Sequence, residues 1–597
     1  MMRRVLLILL FAMVAQAQTS PAALIANVSA RKTTSLNGAW HIIVDPFESG
    51  LNAGYYRNHK PKDKRELVEY DFEASETLAV PGDWNTQKDK FLFYEGPIWY
   101  EKSFPYLKRE HTRVFVYFGA VNYFARVYVN GEAVGEHEGG FTPFDFEVTT
   151  LLHDGDNFLV VEASNQRRDD AVPALHTDWW NYGGITRDVL LVETPETFIR
   201  DYWIQLAKGS RGQIDGWVQL EGDRRSQQQV AVEISEAGIK ASALTDAQGR
   251  ATFHVPAKLE LWSPKNPKLY DVQISSGDDA IHDSIGFRTI ETRGPQILLN
   301  GEPVFLRGIS LHEEAPIRGG RAYRVDEAET LLGWARELGC NFVRLAHYPH
   351  NENEIRLADR MGLLVWSEIP VYWDIAWKDL AALANARSQL RDMVARDHNR
   401  AAVIFWSLSN ETPVEADRLA FLRTLADDAR KLDPTRLITS AMNRVEDDGA
   451  DRHILKDPLG EFLDVLGLNE YYGWYYGRPE DADRQNWTSA YDKPLIISEF
   501  GGDAAYGRHG DAAARWTEEY QASLFVHQLN MVKKIPHLAG LSPWLLMDFR
   551  SPRRPLPGIQ DYYNRKGLLS NTGQRKQAFS VLQSFYRDMQ AHEPPLK

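Results

Sequence analysis

A chain of 597 residues is too long for one hydrophobic core, and its 43% hydrophobic and 25% charged residues are those of an ordinary globular protein built from several domains. Lys and Arg total 68 against 82 for Asp and Glu, and the formal net charge of -14 argues against nucleic acid or an anionic membrane as partner. The 17 Trp offer faces on which sugar rings stack, but indoles are equally core material, so composition hints at carbohydrate only weakly.

The chain opens Met1-Met2-Arg3-Arg4, continues with an apolar run over residues 5–14 and reaches Ala15-Gln16-Ala17. A basic start, a short apolar stretch and an Ala-x-Ala site together predict a signal peptide over residues 1–17, cut after Ala17, with export to the periplasm or the medium. The run is too short to span a bilayer. Cys340 is the only cysteine, so no disulfide forms within the chain, and its place between a helix end and a strand suits a small buried hydrophobe.

Residues 18–193 read as all-β. Strand-like segments fill residues 112–129, Asn130-Gly131 predicts a two-residue hairpin turn, and residues 158–163 form a further strand, which fits a jelly-roll β-sandwich. Residues 194–292 continue with shorter strands at 213–220, 229–234, 251–255 and 269–274, the rhythm of an immunoglobulin-like sandwich, although the Cys-Trp-Cys core mark is missing. From residue 293 to 597 the pattern changes to strand followed by helix. An amphipathic helix is predicted at 325–338, with Asp326 and Glu329 placed for a capping box, and a last helix at 576–589. Eight candidate strands, at 304–307, 342–345, 363–366, 403–408, 437–440, 465–468, 495–498 and 539–544, are the number a closed (β/α)8 TIM barrel needs.

The fourth and seventh strands carry the chemistry. Residues 403–411 are a buried apolar run ending in Asn410-Glu411, and residues 494–501 repeat the design, ending in Glu499 before Phe500-Gly501. Barrel active sites lie at carboxyl ends of strands, and two carboxyls there suit acetal hydrolysis: one protonates the leaving oxygen, the other meets the oxocarbenium ion. A gap of about 5–5.5 Å between them would mean retention through a covalent intermediate. Taken singly, either Glu could equally be a loop carboxylate in a structural ion pair. His347 and His350 have no third ligand nearby, and two-carboxylate chemistry requires no metal or other cofactor.

Trp406-Ser407-Leu408-Ser409-Asn410-Glu411 resembles the acid/base motif of glycoside hydrolase family 2, and Ser498-Glu499-Phe500-Gly501 resembles its nucleophile motif. Ser409 stands where that family often has glycine. The resemblance implies a jelly roll, an immunoglobulin-like domain and a barrel, with Glu411 as general acid and base, Glu499 as nucleophile and Asn410 on the sugar 2-hydroxyl. On those roles Glu411 needs a raised pKa, whereas Glu499 must stay ionised. Asp178, His312, His347, Tyr471, Tyr475 and Trp544 resemble the family's sugar-binding shell, though a lone His or Tyr is more often structural. Glu368, after the third strand, stays open between an acidic wall and a salt-bridge partner.

Asn564-Arg565-Lys566 resembles the pair by which the family's β-glucuronidases hold a sugar carboxylate: a point charge and a neutral donor suit C6 of a uronic acid. Gln560 stands where some of them place an arginine, leaving Arg550, Arg553 or Arg554 to supply that charge. The resemblance therefore implies an exo-acting, retaining β-glucuronidase taking a terminal uronic acid. β-Galacturonidase and β-galactosidase are its rivals, and a non-catalytic carbohydrate-binding protein is the alternative of another class. The sequence leaves room for a homo-oligomer without specifying one.

Overall fold

The computed structural model describes residues 24–449 and 451–592, so the expected signal peptide lies outside the described residues. The first β-sandwich packs a six-stranded antiparallel sheet on a four-stranded one. Alternating apolar residues such as Trp40, Val116, Val127 and Val161 meet between the sheets, the arrangement that lets each hide one face. The Asn130-Gly131 turn forms as the sequence predicts: φ is 52° and 84°, both positive, and Val129 pairs with Glu132. A three-stranded and a four-stranded sheet form the second, immunoglobulin-like sandwich, cored by Ile204, Val218, Val232 and Ile274.

The third region is a closed barrel of eight parallel strands. Numbered within the barrel, they are β1 (Leu306–Leu311), β2 (Phe342–Leu345), β3 (Leu364–Glu368), β4 (Val403–Asn410), β5 (Leu437–Met442), β6 (Leu466–Asn469), β7 (Leu495–Glu499) and β8 (Leu538–Leu541). Helices α1 (Val325–Leu338), α2 (Glu352–Met361), α3 (Leu380–Asp397), α4 (Ala416–Leu432), α5 (Glu518–Val532) and α6 (Gln577–Ala591) cover the outside. The connection after β5 uses short strands and a 3-10 turn in place of a long helix. Among the described residues no helix is long and apolar enough to cross a membrane.

Several sequence expectations shift, and β8 is one of them: it ends at Leu541, short of the predicted 544. β1 starts and ends later than predicted, because Val304 hydrogen-bonds Ile297 in a preceding hairpin, while polar Ser310, bonded to Ser542 inside the barrel, belongs to the strand. The carboxylate that closes the start of α1 is Glu327 rather than Glu329; it accepts the backbone N–H of Arg324 at 3.1 Å. Cys340 is free and buried, and burial pushes its thiol up.

Both sandwiches dock on the barrel, at different places. Arg187 of the jelly roll donates to both oxygens of Glu313, at 3.0 and 3.1 Å, and Tyr182 donates to Glu314 at 2.5 Å, both just beyond β1. The immunoglobulin-like domain meets the turn before β4, where Asn399 donates to the Tyr202 carbonyl at 2.8 Å and Arg400 pairs with Asp283. One sandwich thus reaches the carboxyl end of the strands and the other the opposite end.

Candidate active site

The carboxyl ends of the strands converge on a hollow of about 220 Å3, lined among others by Glu411, Glu499, Tyr471, His347, Trp544, Lys566 and Asp178. Glu499 is the last residue of β7 and Glu411 follows β4 directly. Glu411 has φ 51°, a left-handed conformation that costs about 1–3 kcal/mol outside glycine, and its N–H is held by the Ala441 carbonyl at 2.8 Å. Gly501 turns the chain after Glu499 with φ 129°; a Cβ there would stand 2.9 Å from the Trp544 carbonyl.

Each carboxyl is held by donors on both oxygens. Asn469 and Trp373 donate to Glu411 at 2.9 and 3.0 Å. Arg344 and Tyr471 donate to Glu499 at 2.8 and 2.6 Å. Arg344 is fully buried within β2 and also donates to Glu368 at 3.0 Å and to the Asn410 carboxamide oxygen at 2.8 Å. Asn469 donates to that same oxygen at 3.1 Å, which aims the Asn410 amide group and leaves its nitrogen without a partner among the described residues.

Glu368 is therefore a salt-bridge partner. Burial disfavours its charge, but Arg344 and His347 outweigh burial and bring its pKa down to about 2. His347 meets Glu368 at 2.8 Å through Nδ1, and burial lowers the imidazole pKa to about 4, so the ring is neutral, with its proton on Nδ1 and an acceptor at Nε2. Glu499 departs from the expectation that it stays ionised. Burial pushes it up to about 7, nearby Glu411 adds to the rise, and Arg344 and Tyr471 pull the other way without cancelling it.

In the same hollow, Lys566 makes an ion pair with Asp503 at 2.9 Å and donates to the Tyr475 hydroxyl at 2.9 Å. Burial penalises both charges, yet each partner outweighs it: Lys566 titrates above the usual ammonium range and Asp503 below the usual carboxylate range. Asp178, carried in from the jelly roll, accepts from Ser551 at 2.5 Å, Arg554 at 2.5 Å and Asn564 at 3.1 Å.

Most of the residues singled out in the sequence come together here: Glu411, Glu499, Asp178, His347, Tyr471, Tyr475, Trp544, Asn564 and Lys566 all line the hollow. Asn410 lies just beneath it. His312 does not line it; the ring is sealed behind His347 and Trp544, stacked on Phe549 at 4.0 Å and bonded to Tyr348. His350 faces Glu354 and the Ala346 carbonyl with its two ring nitrogens. Arg550 and Arg553 lie against Trp180 and Trp373, so of the three arginines only Arg554 lines the hollow. Sequence reasoning missed Arg344, Trp373, Asn469 and Asp503. Arg344 had a legible signal, a charge inside the apolar strand Phe-Val-Arg-Leu, and Asn469 a second, a polar residue ending a buried strand.

Paired, donor-held carboxyls at the mouth of a (β/α)8 barrel, beside a neutral His and two Tyr, define a glycosidase site. Family models match the whole architecture: "Glycosyl hydrolases family 2, sugar binding domain" at residues 33–195, "Glycosyl hydrolases family 2" at 197–288 and "Glycosyl hydrolases family 2, TIM barrel domain" at 290–591. The chain belongs to glycosyl hydrolase family 2, and it is a glycoside hydrolase close to the β-glucuronidases. It is 29% identical to a β-glucuronidase of Paenibacillus borealis over 94% of this chain and 97% of the relative, and 30% identical to that of Rattus norvegicus over 85% and 84%. Among solved structures, an uncultured Clostridium sp. β-glucuronidase superposes with a TM-score of 0.81 at 26% identity, covering 94% of this chain and 98% of the other. A β-galacturonidase of Eisenbergiella tayi, 24% identical, shares the fold with a TM-score of 0.79, covering 94% and 98%.

Proposed function

We propose that the protein is an exo-acting, retaining β-glucuronidase that removes a terminal β-D-glucuronic acid and acts after export from the cell. The observation that carries this reading is the presence of Lys566 and Asn564 in the same hollow as Glu411 and Glu499. An ammonium and an amide donor sharing the hollow with the carboxyl pair suit the C6 carboxylate of a uronic acid. The volume, below the roughly 300–1,000 Å3 of sites for drug-sized ligands, favours a single ring.

In the first step Glu411 gives its proton to the glycosidic oxygen while a Glu499 oxygen bonds to the anomeric carbon, and the aglycone leaves as an alcohol. In the second, Glu411 takes a proton from water, whose oxygen displaces Glu499 and releases the sugar with its configuration retained. Arg344 and Tyr471 fix the Glu499 oxygens, and Asn410, with its carboxamide oxygen anchored, offers its N–H to the 2-hydroxyl. Both steps use carboxyl groups alone and need no metal or other cofactor. The close relatives named β-glucuronidase support the same specificity.

The test is a comparison of p-nitrophenyl β-glucuronide, β-galacturonide and β-galactoside. We expect the glucuronide to have the highest kcat/KM, and Lys566→Ala to lower it by about 10–100-fold relative to the neutral sugar. Equal losses on acidic and neutral sugars would remove the clamp from the argument.

A further inference from the structure

We infer that Glu470 is a positioning residue for the reaction: its carboxyl shapes the turn that brings Tyr471 to the nucleophile and Tyr475 to the clamp lysine. The inference rests on the paired-carboxyl mechanism above. β6 ends at Asn469, and the segment after it supplies three tyrosines to the hollow, Tyr471, Tyr475 and Tyr476. Tyr471 donates to Glu499 at 2.6 Å, and the Tyr475 hydroxyl accepts from Lys566 at 2.9 Å. The Glu470 carboxyl bonds elsewhere. It is fully buried, and one of its oxygens accepts both the Tyr472 N–H at 2.5 Å and the Tyr476 hydroxyl at 2.7 Å. Among the described residues its other oxygen has no partner and no cation pairs with it, and burial pushes the carboxyl up to about 7.

A buried carboxyl supported by hydrogen bonds alone is an unfavourable way to fill space, so its shape-giving contacts must account for it. They close the turn. The Gly473 N–H donates to the Tyr476 carbonyl at 2.7 Å and the Trp474 N–H to the Tyr471 carbonyl at 3.0 Å, while Glu470 ties Tyr472 and Tyr476 together through one atom. The backbone N–H of Glu470 donates to the Glu499 carbonyl at 2.8 Å, so this one residue fastens both the end of β7 and the tyrosine turn. Helix α5 pins the same turn from its other side: Gln528 donates to the Tyr472 carbonyl at 2.8 Å and Tyr520 to the Gly473 carbonyl at 2.6 Å. Loss of the Glu470 acceptor therefore loosens the tyrosines without unfolding the segment. Arg344, Glu411 and Tyr471 face the Glu499 carboxyl, and of these only Tyr471 lies on the turn. A loosened Tyr471 stabilises ionised Glu499 less and raises the pH at which the nucleophile ionises.

The experiment follows kcat/KM of the full chain on p-nitrophenyl β-D-glucuronide against pH for the wild type, Glu470→Leu and Glu470→Gln. Leu strands both donors, whereas Gln keeps an acceptor oxygen. We expect Glu470→Leu to lower kcat/KM at neutrality roughly 10-fold and to move the acidic limb upward by less than about one pH unit, and Glu470→Gln to restore both to near the wild type. In a Tyr471→Phe background Glu470→Leu should move the limb no further, because the two changes act through one hydroxyl. Tyr476 is half exposed, so Tyr476→Phe removes one donor without threatening the fold, and it should shift the limb in the same direction by a smaller amount. A limb that stays put in Glu470→Leu and Tyr476→Phe while activity falls would leave Glu470 with a merely structural role and overturn the inference. So would a limb that moves as far in Glu470→Gln as in Glu470→Leu, or shifts that add in the double variant. A wild type without turnover of any aryl glycoside would overturn the paired-carboxyl mechanism itself, and the inference with it.

Discussion

Near the acid pair Arg344 donates to two carboxyls, Glu499 in the hollow and the buried Glu368, while Asn469 and Trp373 hold the third, Glu411; at the clamp two cations, Lys566 and Arg554, face two carboxylates. Both ends are buried, so both use ion pairs to hold charge out of water, but the balance differs. An excess of negative charge favours a sugar ring turning cationic at its anomeric carbon, and the Glu499 carboxyl, pushed up by burial, is poised to share that charge. The balanced end accepts an anion without an uncompensated cation being stranded when the site is empty. Structure of the same kind, salt-bridged and dry, thus serves opposite electrical tasks within one hollow.

The sharpest way to break the contrast is at Glu499. Glu499→Gln should lose about 10^4-fold or more in kcat on any aryl glycoside while still binding D-glucuronate, as read by thermal shift, because the clamp end is untouched. Next in size, Glu411→Ala should lose about 10^2–10^4-fold on a glucuronide with a poorly leaving alcohol and much less with p-nitrophenol, which departs without a proton. Equal losses on both would deny Glu411 its place as the acid. Glu368→Gln strips one partner from a fully buried guanidinium and should cost about 3–5 kcal/mol of stability in urea unfolding. The Glu368 contribution, with its pKa brought down to about 2, is present above the ordinary carboxyl range near pH 4.5 and vanishes as pH falls through 2.

The smallest effect concerns acidity. Glu499 must be ionised to attack, and its carboxyl lies at about 7, so kcat/KM should fall as pH drops through 7. The Tyr471 hydroxyl stabilises the ionised form; Tyr471→Phe should therefore move the acidic limb to higher pH, by less than about one unit, with a few-fold loss at neutrality. A limb that moved downward would contradict the geometry.

Much of this was legible in the sequence for a physical reason: one carboxylate at the end of a buried apolar strand can be a salt-bridge partner, as Glu368 is, but two on separate strands of one barrel, Glu411 and Glu499, point to paired-carboxyl chemistry. The jelly roll and barrel announced themselves through periodicity and through turns such as Asn130-Gly131. Partnership was not legible. Nothing along the chain links Lys566 to Asp503 or Asp178 to Arg554, since each pair joins residues from separate segments, and the prolines at 552, 555 and 557 make the path of that loop unreadable without coordinates. The expected charge of Glu499 was misjudged because burial depends on how tightly Tyr471 and its neighbours close over the carboxyl. His312 was singled out by resemblance to the family's sugar-binding shell; aromatic packing against Phe549 keeps its ring out of the lining of the hollow.

Asp178 belongs to the first sandwich, yet three side chains from the barrel donate to it. A barrel produced by itself would keep its acid pair and lose one wall, together with the anchor that orients Arg554. Exchanging only the amino-terminal third between relatives should accordingly retune which sugar is accepted, and mild conditions that loosen this seam should blunt discrimination well before the barrel melts.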